Sequence, residues 1–212
     1  MSKPGAVIYI ISIVLFSLMS AFARWLPYFP GDVPVTHWLQ GFSSPGMDTV
    51  MQVLSSLWPL ALAGCLVAVL CLRGKRREGV FLAAILVTAF LISELAKQFV
   101  NQPRPDVELV RVLAGFGGSS FPSLHTTCAA AYSGLLVCLM PRLVERPLWR
   151  ALAQGAAVLL ALLIGVSRIY LGAHWVSNVA GGLFLAGLLL YPAILLYNRY
   201  SGREEREYAR TA

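Results

Sequence analysis

Six long runs of apolar residues divide this chain, and each is long enough to cross a lipid bilayer as one helix. A spanning helix needs about 20 predominantly apolar residues, and helices satisfy their backbone hydrogen bonds internally, as a lipid environment demands. The runs occupy roughly residues 6–24, 49–72, 80–100, 122–140, 151–170 and 175–198. The sequence therefore predicts an all-α fold, a bundle of six transmembrane helices.

Composition supports a membrane protein and argues against a soluble or nucleic-acid-binding one. Hydrophobic residues make up 58% of the 212 residues and charged residues only 13%, whereas soluble domains carry about 25% charged residues. The net charge is +7, but the basic residues form no continuous stripe, so we predict no nucleic-acid partner. The cysteines lie in apolar runs without metal-ligand spacing, and we interpret them as small buried hydrophobic residues. They are Cys65, Cys71, Cys128 and Cys138.

The distribution of lysine and arginine predicts the orientation of the bundle. Cytoplasmic loops are rich in both residues, and an N-terminus inside the cell places twelve of the 17 basic residues on that side. Five remain outside: Arg24, Lys97, Arg104, Arg111 and Arg168. We predict cytoplasmic N- and C-termini, a single integral membrane domain over residues 1–212 and a solvated tail over about 199–212. Residues 21–23 resemble a signal-peptidase site, but the preceding run is long, so we expect an uncleaved first helix.

Three of the outer cations and two histidines are predicted to meet at one end of the bundle. Ionisable residues at membrane depth are functional candidates by default. The cations lie at the outer ends of different helices or in adjoining loops: Lys97, Arg104 and Arg168. His125 and His174 lie at the same level, at the starts of the fourth and sixth helices. Such a cluster favours an anion with several oxygens, most simply a phosphate.

The segment GFGGSSFPSLH at residues 115–125 adds a second feature suited to a phosphate. A glycine- and serine-rich loop runs into a helix start, where free backbone N–H groups and the Ser123 hydroxyl can bind an anion. Two histidines beside a phosphate can divide the chemistry, one attacking phosphorus and the other protonating the leaving oxygen. No carboxylate cluster indicates a metal, so we expect neither metal nor cofactor, and the cations neutralise the developing charge.

Three short motifs carry a resemblance to a known family. They are K-x6-R-P from Lys97 to Pro105, P-S-x-H from Pro122 to His125, and S-R-x5-H from Ser167 to His174. In this order and spacing, the chain resembles the type 2 phosphatidic acid phosphatase superfamily. The motifs cover roughly residues 90–182, and the six-helix layout extends the resemblance to the whole chain. The resemblance implies a metal-independent phosphatase that acts on lipid phosphates or diphosphates.

The resemblance also implies a role for each motif residue. His174 matches the family's nucleophile, which becomes phosphohistidine, and His125 matches its general acid. The positions that match phosphate-binding residues are Lys97, Arg104, Ser123 and Arg168, assisted by backbone N–H groups around Leu124. The implied partners are a lipid phosphate or diphosphate and the surrounding membrane lipids, and the oligomeric state is left open.

The chain departs from the family pattern at two positions. Leu124 stands where the family usually has glycine, and its side chain is expected to narrow the approach to the phosphate. Asn178 stands where the family normally has aspartate, four residues after the nucleophile. Because residues four apart share a helix face, we expect the Asn178 side chain to reach the imidazole of His174. Its oxygen can accept the Nδ1 proton but supplies no negative charge.

Asn178 leaves three explanations open at this point. It is an engineered substitution that slows turnover, a natural variant that works at a reduced rate, or a feature of a protein that binds lipid phosphates without hydrolysing them. Aspartate would stabilise the positive charge that develops on His174. The charge argument alone therefore predicts that Asn178→Asp raises kcat about tenfold or more.

The substrate is open at the level of the sequence. Among the lipids that the family implies, we rank a polyprenyl diphosphate such as undecaprenyl diphosphate first, ahead of phosphatidylglycerol phosphate and phosphatidic acid. A lipid phosphotransferase, in which an acceptor lipid replaces water, is an alternative activity. The predicted location is the cell (inner) membrane, with the active site on the extracytoplasmic side.

The remaining conspicuous residues receive mainly structural interpretations. We expect His37 to be structural, Trp58 and Pro59 to mark a kink inside a helix, and the glycine pair at 181–182 to allow close helix packing. For Arg111, a contact with substrate and a plain loop position are equally open.

Overall fold

The computed structural model describes residues 3–114 and 117–211, and this part of the chain is all-helical. Eight helices follow one another along these ranges. Their bounds are α1 Lys3–Trp25, α2 Asp32–Gln40, α3 Pro45–Leu54, α4 Trp58–Leu72, α5 Arg76–Val100, α6 Leu124–Leu143, α7 Pro147–Tyr170 and α8 Val176–Thr211.

Within the described residues, six stretches are long and apolar enough to cross a membrane. They are Ala6–Trp25, Pro45–Leu72, Arg76–Val100, Leu124–Leu143, Pro147–Tyr170 and Val176–Ser201. This confirms the all-α membrane bundle that the apolar runs predict. Some helices begin earlier than the runs do, because a first turn can be charged or contain proline. Thus α5 begins with two arginines, and α7 begins with Pro147, which suits a first helical position.

Two regions in the first half of the chain differ from the sequence prediction. The connection after α1 contains a short helix, α2, which the proline- and glycine-rich sequence of that connection concealed. The second span is not one kinked helix but two helices, α3 and α4, separated at residues 55–57. The predicted kink at Trp58 and Pro59 is thus the start of α4, with proline in its first turn. This interruption matters below because Ser55 lies within it.

Helix α6 is the centre of the bundle and packs against α5, α7 and α8. The core along it is built from aliphatic side chains that are almost fully buried, including Leu82, Leu135 and Leu139. Gly134 allows α8 to approach closely, since a Cβ atom at this position would lie 2.4 Å from a methyl group of Leu190. Many large apolar residues on the outer helix faces are exposed instead, as expected where lipid surrounds the bundle.

The interpretation of the cysteines as buried residues is wrong for two of them. Cys65 and Cys138 are exposed, and Cys71 and Cys128 are partly exposed. Each lies on a helix of the bundle, where an exposed position meets lipid rather than water. A small apolar side chain is compatible with that medium, so apolar sequence surroundings did not require burial.

The end of the bundle opposite the motif residues is held by a buried polar cluster. Tyr197 donates its hydroxyl to Glu78 at 2.9 Å and accepts from Arg142 at 3.0 Å. Arg142 also donates to Ser201 at 2.8 Å, and the guanidinium groups of Arg77 and Arg142 lie over the Tyr197 ring. Because Glu78 is only 5% exposed, these contacts are needed to compensate the cost of burying its charge. They tie α5, α6 and α8 together.

Candidate active site

Three connections meet at one end of the bundle and carry most of the motif residues. They follow α1, α5 and α7, and their described residues are 26–31, 101–114 with 117–123, and 171–175. Helix α5 ends at Val100 and is capped by Asn101, whose positive φ of 51° turns the chain across the bundle. This turn directs residues 102–105 toward the connection that contains His174.

His174 lies in the tight connection between α7 and α8 and is 1% exposed. The backbone N–H groups of Ala173 and His174 both donate to the carbonyl of Arg168, at 3.0 and 3.1 Å. Gly172 permits the turn, with a positive φ of 64°, and a Cβ atom there would lie 2.4 Å from the carbonyl oxygen of Arg111. His174 therefore has a fixed backbone and precedes α8, whereas the sequence predicted it as the start of that helix.

Arg104 binds to the connection that presents His174. Its guanidinium donates to the carbonyl of Ala173 at 2.8 Å and to that of Gly118 at 3.1 Å. The Nη1 atom also lies 3.4 Å from Nε2 of His174. Arginine can only donate hydrogen bonds, so Nε2 faces it as an unprotonated acceptor. The neutral imidazole then carries its proton on Nδ1.

The expected direct contact between Asn178 and the imidazole of His174 is wrong, and Ser120 lies between them. Ser120 Oγ is 3.3 Å from Nδ1 of His174 and 2.5 Å from Oδ1 of Asn178. The i, i+4 rule fails here because His174 lies before the first residue of α8 and is not part of its helical register. The Ser120 hydroxyl donates to the Asn178 oxygen and accepts the Nδ1 proton of His174. Nδ1–H is therefore still the donor, as the sequence predicted, but Ser120 relays the hydrogen bond to Asn178.

Arg168 is buried at the end of α7, with 1% exposure. Its Nη1 group donates to the hydroxyl of Ser55, which lies in the interruption between α3 and α4. The broken span thus helps to hold Arg168.

Lys97 and Glu94 form an ion pair. Lys97 Nζ lies 2.7 Å from Glu94 Oε1, one turn apart on α5. Lys97 is partly buried, while Glu94 is partly exposed. The pair places a cation on the side of α5 that leads to the other motif residues.

Ser123 is the N-cap of α6, and its polar atoms make hydrogen bonds that the predicted anion-binding role did not include. It is 0% exposed; its N–H donates to the carbonyl of Asn178 at 3.1 Å, and Oγ accepts from the Thr126 hydroxyl at 3.0 Å. The Ser123 hydroxyl proton remains available for donation. The next N–H groups, at Leu124 and His125, belong to the first helical turn and have no helical acceptor by position.

Leu124 and His125 are partly buried and line the top of an apolar groove of about 620 Å³. The groove runs along α4, α5, α6 and α7, and its deeper walls include Leu86, Tyr132 and Leu160. Leu124 therefore forms part of the groove wall. The sequence, where Leu124 stands at the usual glycine of the P-S-x-H motif, predicted only that its side chain narrows the approach to the phosphate.

The charges around His174 are predominantly positive. Burial is the main cause that holds the pKa of the His174 imidazole well below its ordinary value of 6.5. Nearby positive charges and a second imidazole act in the same direction: Arg168, Arg104, Lys97 and His125. These are the residues that the three motifs predicted to converge, and the structure brings them together. In the described residues, no group of three or more His, Cys, Asp or Glu could hold a metal ion.

Comparison with known proteins decides the family. The model of the PAP2 superfamily matches residues 78–201, more than half of the chain. The chain belongs to the PAP2 superfamily. This confirms the resemblance drawn from the three motifs, all of which lie inside the matched residues.

Individual PAP2 relatives differ in the lipids for which they are named. The chain is 32% identical over 118 residues to phosphatidylglycerophosphatase B of Bacillus subtilis (strain 168), covering 55% of this chain and 56% of that protein. The chain thus spans about half the length of this relative. It is 27% identical over 183 residues to the candidate undecaprenyl-diphosphatase YbjG of Escherichia coli (strain K12), covering 84% of this chain and 78% of that protein.

A solved structure shares the fold of this PAP2 chain. It is the crystal structure of a transmembrane PAP2-type phosphatidylglycerolphosphate phosphatase from Bacillus subtilis, with a TM-score of 0.77 and 22% sequence identity. The match covers 90% of this chain and 96% of that one. It extends the agreement in fold beyond the motif region to nearly the whole bundle.

Several residues that support this PAP2 site were missed by sequence reasoning. Ser120 lies beside a recognised motif, and Gln102 lies within one, but neither residue type is distinctive there. Asp32, on α2, is 2% exposed and accepts from both the N–H and the hydroxyl of Ser177, at 2.8 and 2.7 Å. An acid at a helix N-terminus is favourable, so Asp32 fixes the start of α8 next to Asn178.

Arg111 and His37 lie outside this cluster. Arg111 forms an ion pair with Asp48 at 2.5 Å and contacts the hydroxyl of Tyr170 at 3.3 Å. Hydrogen bonding to Asp48 raises the pKa of Arg111. His37 bonds to the carbonyl of Leu109 at 2.7 Å. Arg111 thus links its connection to α3 and α7, and His37 links α2 to the same connection, so both residues make structural contacts at this end.

The depressed pKa predicts that His174 stays neutral as the pH is lowered through 6.5. A buried imidazole among cations resists protonation, whereas the imidazole of an unfolded chain takes up its proton near the ordinary value. Stability from this residue is therefore present above 6.5 and is lost as the pH falls below it. The ring ¹⁵N shifts of His174, measured against pH in detergent, test this directly. A midpoint at the ordinary value would contradict it.

Proposed function

We propose that this PAP2 protein is a lipid phosphatase that hydrolyses a phosphomonoester or diphosphate through a phosphohistidine intermediate. One observation carries the proposal. The neutral His174 directs its unprotonated Nε2 toward Arg104, with other cations around it, beside an apolar groove. A nucleophile, charges for a phosphate and space for a lipid chain thus occur together.

The chemistry follows from the positions of the two histidines. Nε2 of His174 attacks phosphorus, and the bond from phosphorus to the leaving oxygen breaks as His125 donates a proton to that oxygen. His125 then takes a proton from water, whose oxygen attacks the phosphohistidine and releases inorganic phosphate. The cations stabilise the charge of the transferring group in both steps. The cycle needs no metal and returns both histidines to their starting states.

The groove provides the lipid specificity in this proposal. Its walls are almost entirely apolar side chains, and His125 at its top is near the same cations as His174: Arg168, Lys97 and Arg104. A lipid whose phosphate lies among the cations can therefore keep its hydrocarbon chain in the groove. Because the groove runs along membrane-spanning helices, the chain need not leave the bilayer during binding.

The proposed location places the site on the extracytoplasmic side of the cell (inner) membrane. The opposite end of the bundle carries most of the short-loop basic residues, including Arg73, Lys75 and Arg146. Such residues favour the cytoplasmic side. Because six spans return a chain to the side on which it starts, the proposal puts both termini at that basic end.

Among substrates, a polyprenyl diphosphate is ranked first, ahead of phosphatidylglycerol phosphate and phosphatidic acid. A relative matched over 84% of this chain is named for undecaprenyl diphosphate, and another, matched over 55%, is named for phosphatidylglycerophosphate. When a lipid diphosphate is hydrolysed, the leaving group is the lipid monophosphate. It leaves more readily than an alkoxide and therefore needs less protonation by the general acid. The test is phosphate release from each of these lipids by the purified protein, with a chelator present. Release from none of them, or only after metal is added, would contradict the proposal.

A lipid-phosphate-binding protein is the second candidate, because Asn178 lacks the charge of the usual acid. The cations and groove would serve binding as well as turnover. In that case, the same lipids would bind to the purified protein, and no phosphate would be released over long incubation.

The groove predicts that Ala156→Trp selectively impairs long-chain substrates. Ala156 lines the groove on α7, and an indole there would occupy space that the hydrocarbon chain needs. We expect KM to rise about tenfold for the lipid, with little change for a short, water-soluble phosphate ester. Ala151→Trp, also exposed on α7 but outside the groove, is the matched control. Equal effects of the two variants on KM would contradict the assignment of the groove.

A further inference from the structure

The side chain of Asn178 is fully buried and uses both ends of its amide. Its oxygen accepts from the Ser120 hydroxyl at 2.5 Å and from the backbone N–H of Trp175 at 2.9 Å. Its nitrogen donates to Oε1 of Gln102 at 2.6 Å. Since the N–H of Trp175 can only donate, the amide oxygen must lie on that side. The nitrogen then has to face Gln102.

Gln102 has a fixed direction for an independent reason. It is 1% exposed, and Nε2 donates to the carbonyl of Leu26 at 3.2 Å. A carbonyl can only accept, so the nitrogen of Gln102 faces Leu26 and its oxygen faces Asn178. The backbone also holds this arrangement, because the N–H of Ser120 donates to the carbonyl of Gln102 at 2.8 Å. The orientation of both amides is therefore fixed: Trp175 fixes that of Asn178, Leu26 fixes that of Gln102, and the Asn178 nitrogen donates to the Gln102 oxygen.

We propose that Gln102 is a positioning residue that makes an amide, rather than a carboxylate, the group that fits at position 178. Through that amide, Gln102 also sets the tautomer of His174. The Asn178 oxygen receives the Ser120 hydroxyl proton, and Ser120 Oγ then accepts Nδ1–H of His174. This leaves Nε2 unprotonated. The significance for catalysis rests on the proposed function of His174 as nucleophile.

An ionised carboxylate at position 178 conflicts with Gln102 in either orientation of the glutamine amide. In Asn178→Asp, the second carboxylate oxygen would take the place of a nitrogen that lies 2.6 Å from Gln102 Oε1. Two acceptors would then face each other without a proton in a fully buried site, which is costly. Turning the Gln102 amide only moves the conflict, because its oxygen would then face the carbonyl of Leu26.

A donor at position 102 removes this conflict. Arginine has no acceptor and offers N–H groups in several directions, so one side chain can donate both to a carboxylate at 178 and to the Leu26 carbonyl. Lysine offers the same polarity in a smaller group. The structure thus predicts coupling between the two positions. The acid is tolerated in its ionised form only with a donor at 102, and the charge benefit expected from the sequence appears only in the double variant.

The experiment is a double-mutant cycle of Asn178→Asp and Gln102→Arg, with Gln102→Lys as a second partner. Thermal stability in detergent is measured for all proteins, and kcat and KM are measured on the lipid with the highest turnover. We expect Asn178→Asp alone to lower Tm without raising kcat. A double variant should recover at least half of the Tm loss and exceed Asn178→Asp by about tenfold in kcat, with KM little changed. A tenfold gain by Asn178→Asp alone, or no advantage from either donor, would overturn the proposal.

Gln40→Met provides the matched control for Gln102→Met. Gln40 is also a buried glutamine with backbone hydrogen bonds, to the carbonyls of Arg111 and Tyr170, but it does not contact Asn178. Both variants should lose stability, but only Gln102→Met should change the ring ¹⁵N shifts of His174, from an Nδ1-protonated pattern toward a mixture of tautomers. Unchanged shifts in Gln102→Met would count against the proposal. Because these shifts and the Tm values do not need turnover, failure of the phosphatase proposal would be distinguished from failure of this one.

Discussion

His174→Ala is expected to lower kcat for phosphate release by about 10⁴-fold or more. In the proposed reaction, the Nε2 atom forms the bond to phosphorus, and alanine offers no atom that can replace it. The cations remain in place, so the lipid should still bind, and the loss should lie in kcat rather than in KM. Phosphate release by the purified variant, compared with the wild type at saturating lipid, measures the effect.

His37→Ala is the control for this prediction. His37 is also at the site end of the bundle, but it bonds to the carbonyl of Leu109 and does not contact His174. It should keep most of the activity. A substrate labelled at the transferred phosphorus should label the wild-type protein in an acid-labile, base-stable form, as expected for phosphohistidine. Activity retained by His174→Ala, or label retained on it, would mean that another group is the nucleophile.

The bundle was largely predictable because its signal is repeated in every span. Each helix needs enough apolar residues to cross the membrane, and this requirement does not depend on how the helices pack. The ends were less certain, since Arg76 and Pro147 extend helices beyond their apolar runs. The interruption at 55–57 was predicted only as a kink. Composition cannot reveal it, because the residues on both sides are apolar.

The site was predictable as a set of residues but not as a geometry. The motifs named the charges that surround His174, because phosphate binding constrains residue type strongly. The contact between His174 and Asn178 was predicted wrongly, since it depends on where α8 begins. That point is set by Gly172 and by Asp32, which accepts from Ser177. Both effects come from the tertiary fold, and a spacing of four residues carries no information about them.

The role inferred for Asn178 from the family pattern differs from the role that its hydrogen bonds in the structure indicate. In the sequence, the amide is only a missing charge beside a nucleophile. In the structure, it completes a buried chain of hydrogen bonds whose polarity is fixed at Trp175 and at Leu26. An ionised acid at position 178 would need a hydrogen-bond donor, rather than the oxygen of Gln102, as its partner at position 102. The uncharged amide at position 178 and the glutamine at position 102 are therefore expected to depend on each other, because each supplies the hydrogen-bonding partner that the other needs.

Arg168→Lys is expected to lower kcat/KM by about 10²- to 10³-fold. Arg168 is 1% exposed, and one N–H group is held by the Ser55 hydroxyl. In the proposed site, its other N–H groups bind phosphate oxygens in a planar fork. Lysine keeps the charge but has no fork, so it cannot bond to Ser55 and to two phosphate oxygens with the same geometry. Initial rates at low lipid concentration measure the loss.

Arg142→Lys is the matched control, because Arg142 is also hydrogen-bonded through its guanidinium but lies at the opposite end of the bundle. It contacts Tyr197 and Ser201, so its replacement should reduce stability while kcat/KM stays within about threefold of the wild type. Ser55→Ala should show a smaller loss of activity in the same direction as Arg168→Lys, since it frees the fork without removing it. Equal kcat/KM for Arg168→Lys and Arg142→Lys would show that charge alone, without guanidinium geometry, is sufficient at position 168.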